Sequence, residues 1–272
     1  LALIGESDPD VIDEIDAEGS VGRWNFTTFH PSYSYEDFVE GFRPVPKSGG
    51  ELSLELEDGV FKRICLAAKT DPSNPYLLVV DEINRANLAK VLGELITLLE
   101  LDKRGLQVTL PQSKDHFEIP PNVYVIGTMN TADRSISLMD VALRRRFAFI
   151  ELMPEPESVD QAVGPLKLDY FLEGLNRAVA RVAGREKQVG HAYLMPGGKP
   201  VADPAEFARL FRLEILPLLQ EYCFEEYGQL AEILGPGIVD EESQSFKTNV
   251  LEQPDELIQL LATQFSASTA EE

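Results

Sequence analysis

Three kinds of hydrophobic spacing alternate along the first 150 residues. Trp24 to Phe29 reads as a short strand, with Thr27 and Thr28 suited to pleated positions, and Pro31 ends it. Leu52, Leu54 and Leu56 alternate with Ser53 and Glu55, the period of a half-buried strand. The run Pro46-Lys47-Ser48-Gly49-Gly50 before them is turn-forming, so Phe42 to Leu56 is expected to be a hairpin. Asp58 reads as the N-cap of a helix, after which Phe61, Ile64, Cys65 and Ala68 share one face. Pro72 and Pro75 break that helix. Tyr76-Leu77-Leu78-Val79-Val80 then runs without a polar interruption to Asp81, as in a strand buried on both faces of a parallel sheet. Leu88, Val91, Leu92, Leu95, Leu98 and Leu99 recur at helical spacing. A polar, hairpin-like insertion spans Leu106 to Ile119. Val123 to Gly127 predicts a second buried strand, Leu138 to Arg145 a short helix, and Phe147 to Leu152 a third buried strand. Strands alternating with helices predict an α/β sheet.

Pro154 and Pro156 mark a change of pattern. Beyond them Tyr170 to Val182, Pro204 to Tyr222, Gly228 to Leu234 and Pro254 to Phe265 all read as helices. The expected organisation is an α/β core over residues 1–153, a small helical domain over 154–265 and a polar tail over 266–272. Gly5 to Gly22 is acidic and glycine-punctuated, and reads as a solvated loop. No internal repeat or low-complexity block is present in the sequence.

Charge changes this picture. The chain has 24 basic and 46 acidic residues, a net −22, which argues against a free-standing nucleic-acid-coating protein. The excess is uneven. Asp203 to Glu272 carries fifteen acids and three bases, whereas Lys103 to Arg146 carries seven bases and four acids. Cys65 and Cys223 are the two cysteines, too few for a disulfide framework or a zinc pattern, so a reduced, cytoplasmic setting is expected. No stretch reaches the roughly 18 uncharged apolar residues of a membrane span. His30, His116 and His191 have no metal-ligand spacing.

Three constellations carry candidate chemistry. Leu77-Leu78-Val79-Val80-Asp81-Glu82 places two carboxylates at the end of a buried strand, where α/β sheets bind ligands. In phosphoryl-transfer sites such a pair holds Mg²⁺ and orients an attacking water; the same pattern also fits a strand that simply meets solvent. Ile126-Gly127-Thr128-Met129-Asn130-Thr131-Ala132-Asp133-Arg134 ends a second strand in polar groups. If the two strands are neighbours, Asn130 sits beside Asp81 and Glu82; the alternative is a loop with an Asx-turn. Arg144-Arg145-Arg146 cannot all face one way on a helix, so at least one is free to reach outward; a solvated surface run is the alternative.

Taken together, their order and wording are specific. Phe29-His30-Pro31-Ser32-Tyr33-Ser34-Tyr35-Glu36-Asp37-Phe38, Asp81-Glu82-Ile83-Asn84-Arg85-Ala86-Asn87-Leu88, Met129-Asn130-Thr131-Ala132-Asp133-Arg134-Ser135, Ala142-Leu143-Arg144-Arg145-Arg146-Phe147 and Gly190-His191-Ala192-Tyr193 follow one another. With them the chain resembles the McrB family, the AAA+ motor subunit of modification-dependent restriction systems, over roughly Trp24 to Gly235. The resemblance implies an AAA+ parallel-sheet module followed by a helical lid. It implies ATP or GTP with Mg²⁺ as ligands, a homo-oligomeric ring, and an McrC-type nuclease partner acting on 5-methylcytosine-containing DNA. DNA would be read through other domains. By the same resemblance Asp81 is the Walker B aspartate that places Mg²⁺ through water, and Glu82 polarises the lytic water. Asn130 is the sensor of the γ-phosphate, Arg145 the arginine finger and Arg146 a second interface arginine. Arg85 and Asp140 join polar contacts across that interface. His191 is either a packed loop-holding histidine or a nucleotide contact, and His30 is structural or coupling. Two other readings stay open: a MoxR-like or dynein-related remodelling ATPase, which shares the Asp-Glu-Ile-Asn-Arg-Ala wording, and a non-hydrolysing subunit that donates Arg145.

One departure from the family pattern is large. The phosphate loop Gly-x-x-x-x-Gly-Lys-[Ser/Thr] does not occur in the 272 residues; Gly198-Lys199 is followed by Pro200. Truncation just before Leu1 is the simplest account, and it would leave Phe147–Leu152 without its sheet neighbour. The expectation is that the isolated 272-residue chain is unstable and turns over no nucleoside triphosphate although its parent does. A phosphate-release assay on the purified chain, with turnover above background counting against this, checks it.

Overall fold

The computed structural model describes residues 23–47, 52–130 and 144–266. The chain divides into two compact units, Leu1–Phe149 and Ile150–Glu272. Among the described residues no helix is long and apolar enough to cross a membrane.

The first unit is organised by a parallel sheet of β1 (Trp24–Thr28), β4 (Tyr76–Asp81) and β7 (Val123–Gly127), in the order β1-β4-β7. β4 lies in the middle, as its unbroken apolar run requires. The register aligns Trp24 with Leu77 and Leu77 with Tyr124, and likewise Phe26 with Val79 and Val79 with Ile126. Those side chains share one face. Tyr76, Leu78, Val80 and Val123 point the other way, into the main core. That core is filled by helix α2 (Val60–Thr70) through Phe61, Ile64, Cys65 and Ala68, the face the periodicity predicts. Phe38, at the end of the short helix α1 (Tyr35–Phe38), stacks on Phe61 with ring centroids 4.9 Å apart. Burying each such side chain contributes roughly 1.5–3 kcal/mol. The opposite sheet face is poorly covered: Phe26, Tyr124 and Ile126 are exposed. β7 is therefore not the doubly buried strand that its composition predicts.

Other expectations are corrected in detail. The cap of α2 is Gly59 rather than Asp58, which ends a strand and pairs with Lys62 one turn into the helix. The leucine-rich helix is two short pieces, α3 (Leu88–Leu92) and α4 (Leu95–Leu98), broken at Gly93, whose φ of 52° leaves helical space. The hairpin forms, as β2 (Glu40–Pro46) against β3 (Leu52–Asp58). Its strands are right, but only Leu56 of the three leucines is half-buried; Leu52 and Leu54 are 73% and 69% exposed. Phe147–Leu152 is not a strand: Phe147 packs against the core, but Ile150 and Leu152 are 84% and 90% exposed. The physical reason is the ladder. Among the described residues no strand lies beyond β7 to hydrogen-bond it. The helix expected over Leu138–Arg145 lies mostly outside the described residues, as do the acidic Gly5–Gly22 segment and all of the tail beyond Ser266.

The insertion is a small hairpin of β5 (Val108–Thr109) and β6 (His116–Phe117), as the sequence predicts. A buried carboxylate fastens it to the core. Glu40 is fully buried; its Oε1 accepts from the backbone N–H of Gln112 (3.1 Å) and of Ser113 (2.9 Å). Its Oε2 accepts from Lys62 Nζ at 2.9 Å, and Lys62 also reaches Asp58 at 2.7 Å. One carboxylate thus ties together β2, α2 and the insertion. On the other side of the insertion, Arg104 donates to the carbonyls of Pro120 (3.4 Å) and Val123 (3.2 Å).

The second unit is mainly helical. Its longest element, α5 (Leu168–Ala183), buries Leu168, Phe171, Leu172, Leu175 and Val179 along one stripe. Phe171 meets Phe207, Phe211 and Phe265 from α6 (Pro204–Leu210), the π-helical turn Phe211–Ile215 and the end of the last helix, Pro254–Gln264. Asn176 is buried and pairs with the backbone of Val189 in both directions, at 2.9 and 2.7 Å. This satisfies its amide inside the core.

The buried Glu40 carboxylate generates a stability prediction. Burial by itself raises its pKa, but the Lys62 ammonium and the Ser113 hydrogen bonds outweigh that and hold it below the usual value of 4.5. A depressed carboxylate stabilises the fold above its unfolded pKa, and that contribution is lost as pH falls through the folded value. Melting curves of the full-length gene product should therefore show the module losing stability below about pH 4.5, the ordinary glutamate value. Glu40→Leu removes the buried partner of Lys62, leaving it the half-exposed Asp58, and orphans the Gln112 and Ser113 amides; it should cost about 3–5 kcal/mol in a urea titration at neutral pH.

Candidate active site at the strand ends

The parallel register brings the sequence-predicted carboxylates and the asparagine to one sheet edge. Thr28 pairs with Asp81 across β1 and β4, and Val80 pairs with Gly127 across β4 and β7. Asp81 and Glu82 thus leave β4 beside the segment Thr128–Asn130 that leaves β7. Asp81 and Glu82 are half-buried, whereas Thr128 and Asn130 are exposed.

Backbone bonds lock the two chains together past the last ladder pair. Thr128 N–H donates to the Val80 carbonyl at 2.9 Å, and Ile83 N–H donates to the Thr128 carbonyl at 2.9 Å. Between them the chain turns sharply at Glu82, with φ 52° and ψ 44°. Left-handed backbone is uncommon for a residue with a Cβ, costs roughly 1–2 kcal/mol, and clusters at functional sites. The turn lifts the Glu82 carboxylate off the strand direction. Its Oε2 lies 3.3 Å from Arg85 Nε, three residues on in the same 3₁₀ turn, Ile83–Arg85. Arg85 thus sits by Glu82 within its own chain.

Gly127 sits close to Ile83: a Cβ there would lie 2.7 Å from Ile83 Cδ1 and 3.2 Å from its Cβ, so a side chain would have to displace Ile83.

Thr128 is the residue that sequence reasoning passed over. Its hydroxyl donates to Asp81 Oδ1 at 2.5 Å and accepts from Glu82 N–H at 3.3 Å. It therefore fixes the carboxylate of one candidate residue and the backbone of the next. The available signal was its position one residue after the strand, in register beyond Val80. Asn84, buried behind the turn, donates to the Asn130 carbonyl at 3.4 Å and holds the base of the asparagine.

The donor chemistry fits a hard divalent cation bound through water. Oxygen groups converge, with Asp81 Oδ1 oriented by Thr128 and its other oxygen outside that bond, and Mg²⁺ favours one or two carboxylates with retained waters. No group of three or more His, Cys, Asp and Glu that could cage a metal directly occurs among the described residues.

The arginines are sorted by the structure. Arg144 lies over the Phe149 ring, 5.4 Å from its centroid. Arg146 Nη2 forms an ion pair with Glu100 Oε1 at 2.6 Å. Arg145 is exposed and makes no ion pair among the described residues. Asp140, the remaining candidate, lies outside the described residues. In the second unit, half-buried His191 accepts at Nδ1 from the Glu155 N–H at 3.1 Å, a contact that holds the loop. His30 packs edge-on against Tyr33 in the aromatic cluster below β1.

Comparison with known proteins agrees with this architecture. A family model described as the AAA domain of the dynein-related subfamily matches residues 20–147. A second, the McrB alpha-helical lid domain, matches residues 167–231. The chain is 38% identical over 224 residues to the type IV methyl-directed restriction enzyme EcoKMcrB subunit of Escherichia coli (strain K12), covering 75% of this chain and 48% of that protein. It is 29% identical over 187 residues to the type II restriction enzyme BsuMI component YdiS of Bacillus subtilis (strain 168), covering 56% and 54%. The chain thus spans about half the length of the curated relatives it matches. The dynein-related model alone would leave a general remodelling ATPase open, and the lid model decides between the two. With a parallel-sheet AAA module followed by the McrB lid, the chain belongs to the McrB-type AAA+ family.

Proposed function

We propose that this chain is the catalytic part of a nucleoside triphosphatase, using ATP or GTP, that drives a McrBC-like restriction system directed at 5-methylcytosine-containing DNA. The observation that carries the reading is the convergence of Asp81, Glu82, Thr128 and Asn130 at the ends of two paired strands, with Glu82 held in a left-handed turn. In this reading, bound Mg²⁺ supplies Lewis-acid stabilisation of charge on the phosphoryl oxygens. Asp81, oriented by Thr128, holds the metal's water shell. Glu82 orients the attacking water and accepts its proton. Asn130 positions that water against the terminal phosphate. These are positioning and electrostatic roles, which is where catalysis of phosphoryl transfer resides.

Arg145 is exposed, and a guanidinium matches the charge spread over a transferring phosphoryl group. It serves the site of a neighbouring copy, with Asp140 and Arg85 at the same contact, so the active form is a homo-oligomeric ring. The net charge of −22 supports a division of labour in which DNA is read and cut elsewhere, by other domains and an McrC-type nuclease. A cytoplasmic location belongs to the same reading.

A second reading is a non-hydrolysing subunit that lends Arg145 to a partner. The exposed Arg145 guanidinium is what favours it. Mutants of the full-length gene product separate the two. If the chain hydrolyses, Glu82→Gln should lower kcat by about 10²–10⁴-fold while nucleotide binding, read by fluorescence of a labelled analogue, persists. If it only donates, the gene product alone turns over no nucleotide, and in a mixture with its hydrolysing partner Arg145→Ala abolishes turnover whereas Glu82→Gln does not. Thr128→Val keeps the shape but removes the bond to Asp81. It should raise the Mg²⁺ concentration for half-maximal activity by about 10–100-fold, measured by metal titration of turnover.

A further inference from the structure

We infer that Glu100 is a positioning residue for Arg145, acting through its ion pair with Arg146. The inference rests on the reading of Arg145 as the arginine that serves a neighbouring subunit.

A finger of this kind faces a geometric problem. Its guanidinium sits on a flexible stem, and it must meet a site on another molecule within a fraction of an ångström. The backbone that bears it therefore has to be held from its own side. Three anchors surround Arg145 here. Phe147, two residues on, packs against the main core and shares a small cavity lining with Leu99. Arg146, the next residue, turns inward; its side chain is 13% exposed and meets Glu100 at 2.6 Å. Arg144, the preceding residue, lies over Phe149.

Glu100 is a firm base for such a hold. It follows α4 directly, and Leu95, Leu98 and Leu99 before it are all buried. Residues 99 and 100 thus face 146 and 147 with one apolar and one charged contact. A short charge-assisted bond to arginine fixes direction as well as distance, and a partly buried one is screened little by salt. The pair engages Arg146 within the chain; Arg144 and Arg145 are both exposed, and Arg145 makes no ion pair among the described residues. Nothing in the Asp81, Glu82 and Asn130 cluster requires Glu100; its role is to aim a group that acts elsewhere.

The test uses the full-length gene product, with steady-state kinetics and thermal melting measured on every variant. Glu100→Gln keeps size and loses charge. It should lower kcat about tenfold or more, as misplacement by around an ångström does, while KM for the nucleotide stays within about twofold. In an Arg145→Ala background the same change should cost nothing further, because both act on one step. If Glu100→Gln does not fold, Glu100→Asp, which keeps the charge at a shorter reach, takes its place with the same signs expected. Wild-type kcat in the folded variant overturns the inference, and so does a loss that multiplies in full with that of Arg145→Ala, the mark of a general structural role. A wild-type protein that turns over no nucleotide fails the functional reading instead, before any variant is compared.

Discussion

Strand β4 is hydrogen-bonded on both sides, to β1 and to β7, and each polar group of the candidate site is placed relative to its C-terminal end. Parallel pairing allows no sliding here. A shift of one residue would turn Leu78 and Val80 out of the core and Leu77 and Val79 into it. The register that buries the right leucines is therefore the register that sets Asp81 beside Thr28 and brings Thr128 next to Glu82. Packing energy, distributed over the whole sheet, determines the relative positions of a few oxygen atoms at its edge.

The same economy operates in the two polar features that depart from local preference. Glu40 is a buried charge, which is costly in isolation, yet it joins β2, α2 and the insertion through one ammonium and two backbone amides. Glu82 adopts a left-handed turn that a glycine would occupy more readily, and it holds there because Thr128 and Ile83 close hydrogen bonds on either side of it. The first feature keeps the insertion attached to the core. The second aims a carboxylate.

Much apolar surface is left in contact with water. Phe26, Tyr124 and Ile126 lie on the less covered sheet face, Phe42, Leu52 and Leu54 on the hairpin, and Ile150 and Leu152 after the arginines. Parallel sheets are ordinarily covered on both faces, and surfaces of this kind favour association. They coexist with a strongly acidic composition, which keeps like-charged chains apart at long range. The locally basic Lys103–Arg146 stretch is an exception to that average; within it Arg146 pairs with Glu100 and exposed Arg144 lies over Phe149.

The sequence by itself determined the elements whose signal is local. The unbroken Tyr76–Val80 run, the Phe61/Ile64/Cys65/Ala68 stripe, the Leu106–Ile119 hairpin and the four helical stretches predicted in the second unit follow from periodicity and punctuation, because side-chain spacing alone decides them; the short helix Thr248–Leu251 does not. The motif wording carried the family. Tertiary structure decided whatever depends on a partner distant in the chain. Leu52 and Leu54 alternate as a buried strand does, yet nothing packs on them. Phe147–Leu152 has a strand's composition but no ladder among the described residues. Thr128 is an ordinary threonine until β7 sets it against Asp81, 47 positions earlier in the chain. Three consecutive arginines are equivalent in one dimension, and contacts with Glu100 and Phe149 distinguish them. A hydrogen bond or an ion pair acts over a few ångströms of space and is indifferent to separation along the chain, so these assignments exist only once the chain is folded.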